Sequence, residues 1–169
     1  MTELLLLRVV HVLSGTFWLG AALVNVFFLM PAAMSVGPAG GTLMLALRDR
    51  GLMHWLLATS VLTLLSGMRL FWIIAGGDPA MFMASPMGRV FGLSGIAAIL
   101  AFALAMLVSR PSAVKIATLS SAMGSASEAE RDVLQRDIER CRQRARIGST
   151  LNIVLLMGSA MGMAVARYL

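Results

Sequence analysis

Three side chains spaced seven apart, His11, Trp18 and Asn25, form the polar pattern best suited to chemistry. Seven residues are close to two helical turns, so all three leave one face of a helix. An imidazole or amide in hydrocarbon is costly unless it faces the interior of a bundle, so the line marks an inward face. Two roles fit it. In one, His11 bonds a carbonyl, Trp18 fills space and Asn25 bonds a neighbouring helix. In the other, the His11 imidazole ligates a metal or a haem iron. Thioethers offer further soft ligands: Met68 and Met163 within apolar stretches, and Met81, Met83 and Met87 in a short connection, where they suit Cu(I). Methionine is also an ordinary core filler, and the chain has 14 of them. No nucleophile–base pair, phosphate loop or paired-carboxylate site is present, so no residue is assigned a catalytic role.

The elements that position these residues follow from composition. Of 169 residues, 59% are hydrophobic and 13% charged, and the mean hydropathy is +0.85, which excludes the charged coat of a soluble domain. Four apolar stretches, 4–30, 52–75, 89–109 and 147–168, each reach the ~20 residues that cross ~30 Å of hydrocarbon as a helix. Strand-like alternation is absent, and backbone groups in lipid need internal partners, so helices are expected. The chain therefore reads as all-α: one membrane domain, 1–169, an up-down bundle of four transmembrane helices. Residues 31–41, with Pro31, Gly37, Pro38, Gly40 and Gly41, predict a turn-rich connection. Residues 42–50 predict a short interfacial helix, with Leu43, Met44 and Leu47 toward lipid. Ser127 and Glu130 form a Ser-x-x-Glu capping box that starts an amphipathic cytoplasmic helix over 128–146, running into the fourth span.

Charge sets the topology. Arg110, Lys115, Arg131, Arg136, Arg140, Arg142, Arg144 and Arg146 lie between spans three and four, and Arg48 and Arg50 between spans one and two. The opposite side has Arg8, Arg89 and Arg167, with Arg69 snorkelling toward it. The positive-inside rule puts both termini outside a bacterial-type inner membrane and loops 31–51 and 110–146 in the cytoplasm. The net charge of +6 thus reflects topology, and nucleic acid is not an expected partner. Glu3 stands where a signal peptide would be basic, so no cleaved leader is expected. The single Cys141 precludes a disulfide framework within the chain.

Helical rise then sorts the residues by depth. His11 and His54 differ in level by on the order of 20 Å, too far to share one iron. His11, Met68, Ser94–Gly95 and Met163 share a level ~10 Å inside the outer surface. Gly15, Gly67, Gly92 and Gly162 lie near it, leaving room for a flat cofactor or for close helix crossing. Arg69 and Arg89 at the rim can neutralise haem propionates or lipid phosphates. Gly158, Gly162 and Ala166 form a small-residue ladder on the fourth span, fitted to other membrane subunits or to self-association.

The stretch Arg8-Val-Val-His11-Val-Leu-Ser-Gly-Thr-Phe-Trp18-Leu-Gly20 resembles the first helix of two related groups. These are the HemJ-type protoporphyrinogen oxidases and the CopD-type copper-resistance membrane proteins. Leu47-Arg48-Asp49-Arg50 followed by 57–67 resembles their second segment, so the likeness covers spans one and two. The HemJ resemblance implies His11 as an axial ligand to haem b, with Trp18, Met68, Arg69, Arg89 and Met163 around the cofactor. The CopD resemblance implies Cu(I) held by His11, Met81, Met83 and Met87. HemJ-type enzymes pair the histidine with a lysine at the outer start of the third helix. Arg89 stands nearest that position here, and an arginine does not serve as a titratable base or haem ligand. The favoured expectation is accordingly an integral membrane accessory protein or subunit of a larger complex, without catalysis of its own and with its cofactor undetermined. A haem-binding and a copper-handling protein are the alternatives, haem ahead of copper.

Overall fold

The computed structural model describes residues 2–169, apart from the side chain of Pro38, and every regular element in that range is helical. Helix α1 (Thr2–Val24) passes through a widened π turn, Asn25–Leu29, into α2 (Met30–Ser35). Helices α3 (Pro38–Asp49), α4 (Leu52–Ile74) and the short α5 (Pro79–Ala84) follow. Helix α6 (Pro86–Leu104) widens at Ala105–Ser109 before α7 (Arg110–Ala122). Helix α8 (Glu128–Val165) ends in a 3-10 turn, Ala166–Tyr168. Four segments are long and apolar enough to cross a membrane: Thr2–Ser35, Leu52–Ile74, Pro86–Ala122 and Glu128–Tyr168.

The two π turns have one cause. Pro31 and Pro111 each stand two residues after a widened turn. A proline inside a helix removes an N–H donor, and its ring collides with the carbonyl four residues back. Bonding over five residues relieves that conflict. Met30 N–H accordingly reaches the Asn25 carbonyl, and Arg110 N–H the Ala105 carbonyl. The same widening leaves the Ser109 hydroxyl buried without a partner among the described residues.

The connection expected over 31–41 is mostly helix. Only Val36 and Gly37 interrupt it, Gly37 at φ 61°. Pro38 lies in a first turn, where the missing N–H leaves no bond unmade. Gly40 abuts the Ala33 carbonyl so closely that no side chain fits there. The helix expected over 42–50 consequently starts at Pro38 rather than 42. Likewise, the third apolar helix begins at Pro86, before the expected 89, with Ser85 Oγ accepting from Gly88 N–H at 3.0 Å. The segments expected over 128–146 and 147–168 are joined, α8 running through Glu128–Val165 as one 38-residue helix and the last residues forming the 3-10 turn.

The chain divides into two compact units, Met1–Ile99 with Leu156–Leu169, and Leu100–Leu155. In the first, α1 and α4 pack antiparallel. Glu3 meets Arg69, and His11, Ser14 and Gly15 all meet Thr63. Gly162 of α8 receives Ser94 and Val90 of α6. In the second, Asn152 Nδ2 donates to the Ala101 carbonyl at 2.6 Å, and Gly148 packs on Val108 and Ser109. Burial runs opposite to that of a soluble protein. Ser14, Thr59, Ser60, Thr63, Ser66, Ser94, Asn152 and Ser159 are buried, whereas Leu13, Phe28 and Leu107 are 67%, 69% and 76% exposed. Small polar residues lie where helices meet and large apolar ones face outward, as lipid solvation demands.

One register occurs twice. Leu13-Ser14-Gly15 recurs as Leu93-Ser94-Gly95, and Pro31 as Pro111, each 80 residues on. Burial repeats with it: Ser14 and Trp18 match Ser94 and Ala98. Thr59, Ser60, Thr63 and Ser66 match Asn152, Ile153, Leu156 and Ser159 in spacing.

The start of α8 is capped as its sequence predicts, with one change of role. Glu130 Oε2 accepts from Ser127 N–H at 2.8 Å and from Ser127 Oγ at 2.6 Å, so the serine hydroxyl donates to the carboxylate. These two bonds hold the Glu130 carboxyl below its ordinary value of 4.5. A carboxylate with a lowered value stabilises the fold above its unfolded value and ceases to as pH falls through the folded one. Amide exchange at Glu128–Arg131, divided by its intrinsic pH-dependent rate, is therefore expected to be flat from neutral pH down to about 4.5, then to accelerate on further acidification. Ser127→Ala should move that acceleration to higher pH; an unmoved profile would dismiss the cap.

Candidate functional site

The polar line of α1 meets a hydroxyl ladder on α4. Thr59, Ser60, Thr63 and Ser66 recur every one to four residues, so they share one stripe of that helix, and all are buried. Each hydroxyl first satisfies itself on its own helix: Thr59 on the Trp55 carbonyl (2.8 Å), Ser60 on Leu57 (2.8 Å), Thr63 on Thr59 (2.7 Å) and Ser66 on Leu62 (2.5 Å). Such back-bonding lets a hydroxyl sit in an apolar environment without loss of partners.

Across the interface, His11 Nδ1 lies 2.9 Å from the Thr63 carbonyl and 3.3 Å from Ser66 Oγ. A carbonyl only accepts, so Nδ1 carries the proton and donates. In the neutral ring this leaves Nε2 as the acceptor, and Nε2 has no hydrogen-bond partner among the described residues. One turn along, Ser14 donates to the Val10 carbonyl at 2.6 Å, and Thr63 Oγ1, 2.9 Å from Ser14 Oγ, shares its single proton between that oxygen and the Thr59 carbonyl. The imidazole rests on Gly67. A Cβ there would stand 2.8 Å from His11 Cε1 and 3.1 Å from Nδ1.

The other residues singled out by sequence fall in different places. Trp18 is buried and Asn25 half-buried at the start of the π turn. Met68 is 61% exposed. It stands two residues, roughly 200° of helix, beyond Ser66, so helix phase turns it away from His11 despite their common depth. Met163 is half-buried. Arg69 pairs with Glu3, its NH2 2.7 Å and Nε 2.9 Å from one carboxylate oxygen. Arg89 donates to the Ala84 carbonyl at the end of α5, 3.2 Å away. The methionines of the connection separate: Met81 is 76% exposed, whereas Met83 is packed onto Gly92. A short helix capped by Asp78, whose Oδ1 accepts from Met81 N–H at 3.0 Å, sends these side chains in different directions. His54 and Trp55 are exposed at the first turn of α4.

Sequence reasoning missed the hydroxyl partners of His11, although their helical spacing was a legible signal. It also missed that the glycines at this depth are occupied. Gly67 holds the imidazole, Gly92 the Met83 thioether and Gly162 the Ser94 hydroxyl. By contrast, a Cβ at Gly20, Gly95 or Gly158 would meet nothing within 4 Å. Comparison with protein-family models, with curated proteins and with solved structures found no significant match for this chain.

The occupied and open glycines are expected to behave differently. Gly67→Ala pushes the imidazole off the Thr63 carbonyl, an overpacking cost of about 1–3 kcal/mol. Gly95→Ala should be neutral or slightly stabilising, since alanine favours helix and has open space. Thermal unfolding of both variants in detergent checks this; equal midpoints would refute the close His11–Gly67 packing.

Proposed function

We propose that this chain is a multi-pass inner-membrane protein that acts as a non-catalytic accessory subunit, docking its helices against a partner membrane protein or a second copy of itself. The observation that carries this reading is the division of its glycines. Those beside polar side chains are filled from within the chain, and the hydroxyls there bond carbonyls or one another. Those at Gly20, Gly95 and Gly158 are open notches among exposed apolar side chains. In lipid, an open glycine permits close backbone approach by another helix, and dispersion contacts reward it. The arginine bias supports an up-down bundle with both termini outside, and with α3, α7 and the first half of α8 at the cytoplasmic face.

Gly158 supplies the test, because its surroundings within the chain are empty. Gly158→Leu should leave the melting temperature of the purified protein unchanged, yet shift it in native gels of solubilised membranes from a large assembly to its own size. Gly162→Leu, which collides with Ser94, should lower the melting temperature itself. A wild-type chain that already migrates at its own size would overturn the subunit reading.

One observation favours a second reading, haem binding in the manner of HemJ-type proteins. A ligating histidine characteristically donates its other ring nitrogen to a carbonyl, which orients the ring and raises its basicity. His11 has that arrangement through Thr63. Met68 does not complete the ligand set, and the Gly67 notch is filled. If haem is bound, the reduced absorption bands of the purified protein should vanish in His11→Ala and persist in His54→Ala and Met68→Leu. A colourless wild-type protein grown with ample haem would dismiss this reading.

A further inference from the structure

In the unit Leu100–Leu155, α7 and α8 flank an open groove of about 290 Å³. Its apolar end is Leu107 and Val108, the last residues of the third apolar stretch before Arg110. Its floor is Ser112 and Cys141, both buried and small. Its rim carries Lys115 and Arg144, both exposed. Lys115 lies four residues, roughly 6 Å of helix, beyond Pro111, one step above the hydrocarbon boundary. That is the depth of lipid phosphate rather than of acyl chain.

The charges are unbalanced at this place. Among the described residues, Lys115 and Arg144 have no carboxylate partner. The nearby acids are engaged elsewhere: Asp137 with Arg140, Glu139 with Arg142 and Glu130 with Ser127. Two free cations thus face each other over a groove that is apolar below and wet above. A free phosphate would leave the Leu107–Val108 end uncovered. A second protein helix would need to bring its own acids to that depth.

We infer that this groove is a binding site for one anionic phospholipid of the cytoplasmic leaflet, its phosphate between Lys115 and Arg144 and an acyl chain along Leu107 and Val108. Basic recesses between helices on the cytoplasmic side suit such headgroups, and each cation there contributes to retention. The inference rests on the bilayer reading above but not on the subunit role.

Lipid retention by the full-length protein in mild detergent, read by native mass spectrometry after exchange with phosphatidylglycerol or phosphatidylcholine, tests it. Wild type should retain one phosphatidylglycerol in preference to phosphatidylcholine, and its melting temperature should rise with the former and not with inorganic phosphate. Lys115→Gln with Arg144→Gln should weaken retention about 25-fold, roughly fivefold for each cation. Arg140→Gln, an exposed residue outside the groove, should retain the lipid. Equal retention of both lipids, or retention unchanged in the double variant, overturns the site. Release of the chain from membranes by alkaline carbonate without detergent would instead overturn the bilayer reading, so the two failures are distinct.

Discussion

A hydrogen-bonding group placed in hydrocarbon has no water to fall back on, and the arrangement of this chain follows from that constraint. Helices satisfy the backbone. Hydroxyls on α4 satisfy themselves on carbonyls of their own helix, and only then reach across to α1. The His11 imidazole could not do so alone, since its own helix offers no carbonyl to a ring on that face. It takes the Thr63 carbonyl instead, and Gly67 is the vacancy that lets the ring approach. Bonds of this type contribute about 0.6 kcal/mol on average in membrane proteins. Their value here lies in register: sliding α1 by one turn against α4 would strand the imidazole and bring Ser14 off Thr63.

The same constraint explains the two prolines. Each would leave a carbonyl unsatisfied in the middle of an apolar helix, and each is accommodated by a π turn just before it. The third segment does this at some cost, since among the described residues the Ser109 hydroxyl ends without a partner. Both widened turns stand eighty residues apart, with Leu-Ser-Gly repeated at the same interval and matching burial on the partner helices. The two helix pairs thus share a spacing of buried positions but not their contacts. Where the first copy sets His11 on Gly67, the second sets Ser94 into Gly162 and lays Met83 on Gly92.

Charge arranges the ends of the helices rather than their middles. On one side Glu3 and Arg69 tie α1 to α4, a pair half-exposed on both partners and so worth little in water, though more in a headgroup region of lower polarity. On α8, Asp137 and Glu139 pair with arginines three residues further along, leaving a surplus of cations where α7 meets α8. A polar cluster that holds helices in register and a basic recess at the boundary are therefore separate devices on separate units.

The sequence by itself determined the class, the number of apolar helices and the start of α8. Hydrophobic length and the Ser127–Glu130 spacing are local properties, and local properties are written in consecutive residues. It also marked the face of α1 that carries His11 and Trp18, because helical period is local too. It did not determine where α2 and α3 begin, since Pro31, Pro38, Gly37 and Gly40 read equally as a loop until Gly40 is seen against the Ala33 carbonyl. Nor could depth alone decide partners. Met68 shares the level of His11 but lies on the other side of α4, and Thr63 and Ser66 take the place expected for it. Level along a helix is set by counting residues, whereas rotation against a neighbour is set by which side chains interlock across the contact, and only the tertiary structure decides that.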